Sequence, residues 1–201
     1  MDEGYIKFTS ERRDGPVPRS TQLDELNSTR TALFNLGLIG QYPDGIGFGN
    51  MSLRESKDRF VITASATGGT RELQHHHYCL VESFSPERNR VLSRGPMKAS
   101  SESMTHGAIY DANPAVKYVM HVHSRALFDD LLHRHWLETP ADTPYGTPAM
   151  AEAVSRLVRA QPSLPVLFVM AGHAEGIVAY GADLASTQQL LLENYYRMQH
   201  A

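Results

Sequence analysis

The stretch VKYVMHVHS, Val116–Ser124, decides how this chain is read. Side chains alternate faces along a β-strand, so Val116, Tyr118, Met120 and Val122 point one way while Lys117, Val119, His121 and His123 point the other. The first set reads as core. The second carries two imidazoles on neighbouring same-face positions, ~6–7 Å apart along the backbone. Two rings at that spacing are either hydrogen-bonded core histidines or half of a metal site, because imidazole nitrogens can close on one cation at about 2.0–2.1 Å each.

Working outward, ASSESMTHGAIYDANP before this strand reads as a short helix capped by Ser100 or Ser101 and stopped by Asn113-Pro114. Further upstream, MSLRESKDRFVITAS and YCLVESFSPERNRVLSRG read as β-hairpins turning near Ser56–Asp58 and Pro86–Asn89. STQLDELNSTRTALFNLGLIG carries Leu23, Leu26, Leu33 and Phe34 at helical spacing, with Ser20 or Thr21 as cap and Gly37 or Gly40 as stop. Downstream, TPAMAEAVSRLVRAQP is a helix with Thr147 as cap and Pro148 in its first turn. LPVLFVMAG and GIVAYG are apolar strands on either side of HAE, and DLASTQQLLLENYYRMQH is a last helix. Residues 1–19, with Pro16 and Pro18 among charges, are expected to be a loosely held arm, and residues 20–201 a single domain. Helices flanking hairpins predict a layered α/β domain with a mostly antiparallel or mixed sheet.

Bulk properties narrow the function. The chain has 201 residues, 41% hydrophobic and 20% charged, an ordinary globular composition with enough length for a sizeable core. A net charge of −3 argues against a protein built to grip nucleic acid. No apolar run reaches membrane-span length, and the polar start MDEGYIKFTSERRDGP lacks the apolar core of a secretion signal. One cysteine, Cys79, precludes an internal disulfide and fits a reducing cytoplasm. No nucleic-acid or membrane partner is expected.

Other residues bear on the histidine pair. His173, in MAGHAEG, follows a strongly apolar strand directly, where a ring projects from a rigid element into open space. Glu102 opens the short helix whose returning strand carries His121, so the two come near each other in space. Three neutral imidazoles and a carboxylate suit Zn2+ or another divalent transition metal such as Mn2+, Co2+ or Fe2+. Spacing alone leaves the metal and packed-core readings balanced. His75, His76 and His77 are consecutive, cannot all face one ion, and read as a solvated run; His133 and His135 beside Trp136 read as surface. His106, one turn after Glu102, either orients that carboxylate or lies on the helix surface.

These pieces together resemble the class II aldolase/adducin family, which includes fuculose-phosphate aldolase and ribulose-phosphate 4-epimerase. The resemblance covers roughly Thr21 to the C-terminus. GFGNMSLR is similar to the family's Gly-Asn-x-Ser segment, VITASATGG to its Thr-x-x-Gly turn, KASSES to its Ser-Ser-Glu, HVHS to its His-x-His, and GHAEG to its third-histidine turn. The resemblance implies a three-layer α/β/α fold with a central, largely antiparallel sheet and a homotetramer with sites at subunit interfaces. It implies zinc on His121, His123 and His173, with Glu102 as acid/base and as a ligand when substrate is absent. Gly49, Asn50, Thr67, Gly68, Ser100 and Ser101 would line a phosphate pocket. The activity implied is a metal-dependent aldolase acting on a small, phosphorylated ketose through a zinc-stabilised enediolate. A dehydratase, epimerase or decarboxylase on a related keto-sugar or keto acid stays open, as does a non-catalytic adducin-like scaffold. The chain departs from the family pattern in three places. Ala174 and Glu175 intervene between His173 and Gly176, and ASATGG is one residue longer than the usual turn. RHWLETPADTPYG is compressed where family aldolases carry a tyrosine proton donor, leaving Tyr145 as a candidate. Glu175 reads as a solvated turn carboxylate.

Overall fold

In the computed structural model, which describes residues 5–200, the elements run β1 (Thr9–Arg13), α1 (Thr21–Asn35), β2 (Gly40–Gln41), β3 (Gly47–Phe48), β4 (Asn50–Arg54), β5 (Phe60–Thr63), β6 (Tyr78–Ser85), β7 (Arg90–Arg94), α2 (Ser103–Ala112), β8 (Tyr118–His123), α3 (Arg125–His133), α4 (Pro148–Arg159), β9 (Val166–Val169), β10 (Gly176–Gly181) and α5 (Leu184–Gln199). Both expected hairpins form, as β4–β5 and β6–β7. Helices α1, α4 and α5 start where hydroxyl or carboxylate caps stand. Ser20 Oγ accepts the Leu23 N–H, Thr147 Oγ1 accepts the Met150 N–H with Pro148 in the first turn, and Asp183 accepts the Ser186 N–H.

Eight of the strands assemble into one sheet of order β1-β7-β6-β5-β4-β8-β10-β9, antiparallel throughout except at the β1–β7 edge, and β2 and β3 pair as a separate antiparallel ribbon. One face packs Val81, Val119, Phe168 and Val178 against Met104 and Ile109 of α2 and Met150 and Val154 of α4. The other packs Met51, Val61, Met120 and Ile177 against Leu26 and Leu33 of α1, Leu127 and Leu131 of α3, and Leu191 of α5. This is the expected three-layer α/β/α arrangement with a largely antiparallel centre. Among the described residues, no helix is long and apolar enough to cross a membrane.

Several local expectations change. Within the segment read as an arm, Thr9–Arg13 pairs in parallel with β7, and Phe8 and Val17 are buried. Residues 1–4 of that segment lie outside the described residues. Arg125–His133, unassigned from sequence, forms α3, capped by Ser124. α2 begins at Ser103 with Glu102 at the cap position, not Ser100 or Ser101. A tight turn accounts for this: the Ser100 carbonyl accepts both the backbone N–H and the hydroxyl of Ser103.

Strand β8 lies between β4 and β10, with helices over both faces, so all six of its residues are buried. Its two histidines therefore sit inside the protein. Register places Asn50 of β4 opposite His121, and Gly176 of β10 opposite His123.

Candidate metal centre and anion cleft

The sheet brings His121, His123 and His173 together. His121 and His123 share the β8 face predicted by alternation, and His173 arrives from the β9–β10 turn. That turn is set by the His173 N–H donating to Met170 O and the Gly176 N–H donating to His173 O. The His123 Nε2 atom lies 3.0 Å from His121 Nε2 and 3.0 Å from His173 Nε2. Among the described residues these three side chains form a group able to hold a metal ion, and all three are buried. Glu102, also expected as a ligand, is not one of its members.

The other ring nitrogens explain which atoms face inward. His121 Nδ1–H donates to the Ile177 carbonyl at 3.2 Å, which leaves the Nε2 lone pair bare. His123 Nδ1 lies 2.9 Å from the Tyr42 hydroxyl, which donates to Glu175 Oε2 at 2.8 Å. Burial holds His121 down to about 4 and His123 and His173 well below the usual histidine range, so all three rings are neutral, the form that binds metal. Three ring nitrogens converge from a buried wall, and that donor set fits zinc-type coordination.

Glu102 is 2% exposed. Neither carboxyl oxygen has a hydrogen-bond partner among the described residues, and burial pushes its pKa up to about 7. The Lys7 ammonium pulls the other way, more weakly. The Lys7 ammonium also lowers the His173 pKa. Lys7 Nζ lies 3.9 Å from the centre of the Tyr145 ring, and that ring lies 4.3 Å from the His173 ring. The Tyr145 hydroxyl is bonded to the Tyr5 backbone.

A cleft of about 280 Å³ is lined by Gly49, Asn50, Thr67, Gly68, Ser100 and Ser101, every position read from sequence as phosphate-binding, together with Tyr5, Gly47 and Ser65. Glycine is required at two of them. Gly49 has φ +75°, and a Cβ on Gly68 would lie 2.3 Å from the Gly40 carbonyl oxygen. The Thr67 hydroxyl donates to the Ala64 carbonyl at 2.7 Å. Asn50 Oδ1 is buried without a hydrogen-bond partner among the described residues. Behind this loop the buried Arg30 guanidinium donates to the carbonyls of Thr67 and Gly68, each at 3.0 Å, of Arg71 at 2.7 Å, and of Thr70. Sequence reading missed Arg30, which sits on an otherwise ordinary amphipathic helix. Its signal was an arginine at a core-facing helical position.

The remaining histidines divide. His133 and His135 are exposed, as expected, but of the run read as solvated only His76 is, His75 and His77 being half-buried in a 3₁₀ turn with His77 Nδ1 accepting the Gln74 N–H. His106 is neither a surface residue nor bonded to the Glu102 side chain. It is fully buried, with Nδ1 2.6 Å from Ser52 Oγ, which in turn lies 2.7 Å from the Tyr110 hydroxyl. The reason is that α2 packs against both the sheet and α4, so no outward face is left at that turn. Glu175, read as solvated, is half-buried against Tyr42.

Residues 43–128 match the model of the Class II Aldolase and Adducin N-terminal domain. The match takes in the cleft, Glu102 and the β8 histidines and ends before His173. A search of curated proteins found no match. Among solved structures, the fold resembles an L-fuculose 1-phosphate aldolase (TM-score 0.67, 17% identity, covering 90% of this chain and 85% of that one). It also resembles the L-fuculose-1-phosphate aldolase of Thermus thermophilus (TM-score 0.58, 20% identity, 88% and 94%). A sugar-phosphate aldolase from Thermotoga maritima is similar as well (TM-score 0.62, 17% identity, 88% and 92%). The chain has the fold of these aldolase structures, and its residues 43–128 match the model of the Class II Aldolase and Adducin N-terminal domain.

Proposed function

We propose that this protein is a divalent-metal-dependent lyase that makes or breaks a carbon–carbon bond beside the carbonyl of a small ketose, with a substrate phosphate seated in the cleft between Gly49 and Ser101. The observation that carries the reading is the convergence of three buried, neutral imidazoles, in a chain that also buries a carboxyl, Glu102, whose pKa burial raises to about 7. His121, His123 and His173 would hold Zn2+, or Mn2+, Co2+ or Fe2+. Bound there, the cation supplies Lewis-acid stabilisation of negative charge developing at the carbonyl end of the substrate. Glu102, close to half-ionised at neutral pH, delivers a proton to the carbon next to the carbonyl or removes one from it. A positioned acid/base contributes ~10²–10⁴ in rate. Asn50, Ser100 and Ser101, with the backbone at Gly49 and Gly68, orient the phosphate away from the reacting bond. A homotetramer belongs to the same reading. So does a cytoplasmic location, which suits the lone buried Cys79, whose thiol burial pushes up to about 12.

The test is metal analysis of the purified protein followed by a screen over keto-sugar phosphates and keto acids with product identification. The expected result is bound divalent metal, chelator-sensitive turnover, and dihydroxyacetone phosphate released with an aldehyde such as glycolaldehyde. Glu102→Gln should keep the metal and lose ~10²–10⁴ in turnover; full turnover in that variant overturns the acid/base role. Release of water or CO₂, or inversion at one carbon, would assign a dehydratase, decarboxylase or epimerase instead. A protein with neither metal nor turnover would be a scaffold.

A further inference from the structure

We propose that Tyr42 and Glu175 form a positioning relay that fixes the tautomer and ring orientation of His123 so that its Nε2 is presented to a metal ion. The inference rests on the metal-centre reading and adds two residues to it.

The hydrogen-bond chemistry has one consistent direction. The Tyr42 hydroxyl donates its proton to Glu175 Oε2 at 2.8 Å. The Tyr42 oxygen is then the acceptor for His123 Nδ1–H at 2.9 Å. With its proton on Nδ1, His123 has a bare Nε2, the atom lying 3.0 Å from each of the other two Nε2 atoms. His121 reaches the same tautomer through a backbone carbonyl, whereas His123 relies on a side-chain chain ending in a carboxylate.

Both relay residues are held in place. Tyr42 sits in the turn between β2 and β3, where its N–H donates to Ile46 O at 2.8 Å and its ring lies 4.5 Å from the Phe48 ring. Phe48 in turn flanks His123 at 5.6 Å, so one short hairpin carries both the hydroxyl and a wall for the imidazole. Glu175 adopts φ +68°, a left-handed conformation that a non-glycine residue takes only under strain. Its carbonyl accepts the Ser124 N–H at 3.2 Å, which ties the turn to the end of the β8 histidine strand. Partners of this kind around a ligating histidine typically change metal affinity ~10–100-fold.

The experiment uses the full chain and Zn2+ as the probe. Zinc affinity is measured by chelator competition for the wild type, Tyr42→Phe, Glu175→Ala, Glu175→Gln and the double variant Tyr42→Phe/Glu175→Ala. Histidine tautomers are read in the metal-free proteins by long-range ¹H–¹⁵N correlation. Expected are an Nδ1–H tautomer at His123 in the wild type and a ~10–100-fold weaker zinc affinity in Tyr42→Phe. Tyr42→Phe keeps the ring stacked on Phe48, so metal-free stability should stay near wild type. Glu175→Ala should weaken zinc, and Glu175→Gln, whose amide oxygen still accepts from Tyr42, should restore most of the loss. The double variant should bind no more weakly than Tyr42→Phe alone, because the two residues act in series. An Nε2–H tautomer at His123, or wild-type zinc affinity in Tyr42→Phe, overturns the relay while leaving the metal centre standing. A wild type that takes up no zinc overturns both.

Discussion

Replacing Glu102 by glutamine gives a sharp test of how the buried site is built. The carboxyl is 2% exposed, neither oxygen has a hydrogen-bond partner among the described residues, and burial raises its pKa from 4.5 to about 7. The folded protein thus holds this proton more tightly than the unfolded chain does. The stability linked to it is fully present below about pH 4.5 and is lost as pH rises through about 7. At about 1.4 kcal/mol for each pH unit between those values, the complete loss is about 3 kcal/mol. The buried histidines His106, His121, His123 and His173 act in the opposite sense. Their depressed pKa values cost stability as pH falls below the ordinary histidine value of 6.5. A single pH–stability curve mixes the two, so the informative quantity is the difference between wild type and Glu102→Gln. Urea unfolding of both metal-free proteins from pH 5 to pH 8 should show the variant gaining about 2–3 kcal/mol on the wild type across that range. Parallel curves would mean that Glu102 titrates like a solvated carboxyl, and the account of a neutral acid kept ready by burial would fail with it.

Other perturbations read the rest of the site. His121→Ala should abolish tight zinc uptake, whereas His76→Ala, exposed in its 3₁₀ turn, should leave it unchanged; equilibrium dialysis measures both. Arg30→Met leaves the carbonyls of Thr67, Gly68, Thr70 and Arg71 without their donor and should cost at least ~3 kcal/mol in urea unfolding. Gly68→Ala drives a Cβ into the Gly40 carbonyl oxygen and should cost ~1–3 kcal/mol and weaken inorganic phosphate binding by calorimetry.

What the chain determines locally, it determines legibly. Alternation in VKYVMHVHS put His121 and His123 on one face of a strand, and they share that face in β8. Hydroxyl and proline signals placed the starts of α1 and α4, and apolar runs separated by polar turns placed both hairpins. These signals are short-ranged: a cap bonds a backbone N–H three residues on, and a strand's period needs only its own residues. The cleft residues Gly49 to Ser101 were nameable because GFGNMSLR, VITASATGG and KASSES resemble known motifs.

Tertiary structure alone decided who stands behind those residues. Tyr42 meets His123 across 81 positions and Glu175 across 133, and Arg30 grips a loop 37 to 41 residues away. Periodicity gives the direction of a side chain, not the element that will face it, and that partner depends on the strand order β4-β8-β10 and on which turn folds over the sheet's end. His106 makes the same point from the opposite side. Its helical position was plain, but whether that face met water or protein was set by the packing of α2 between the sheet and α4.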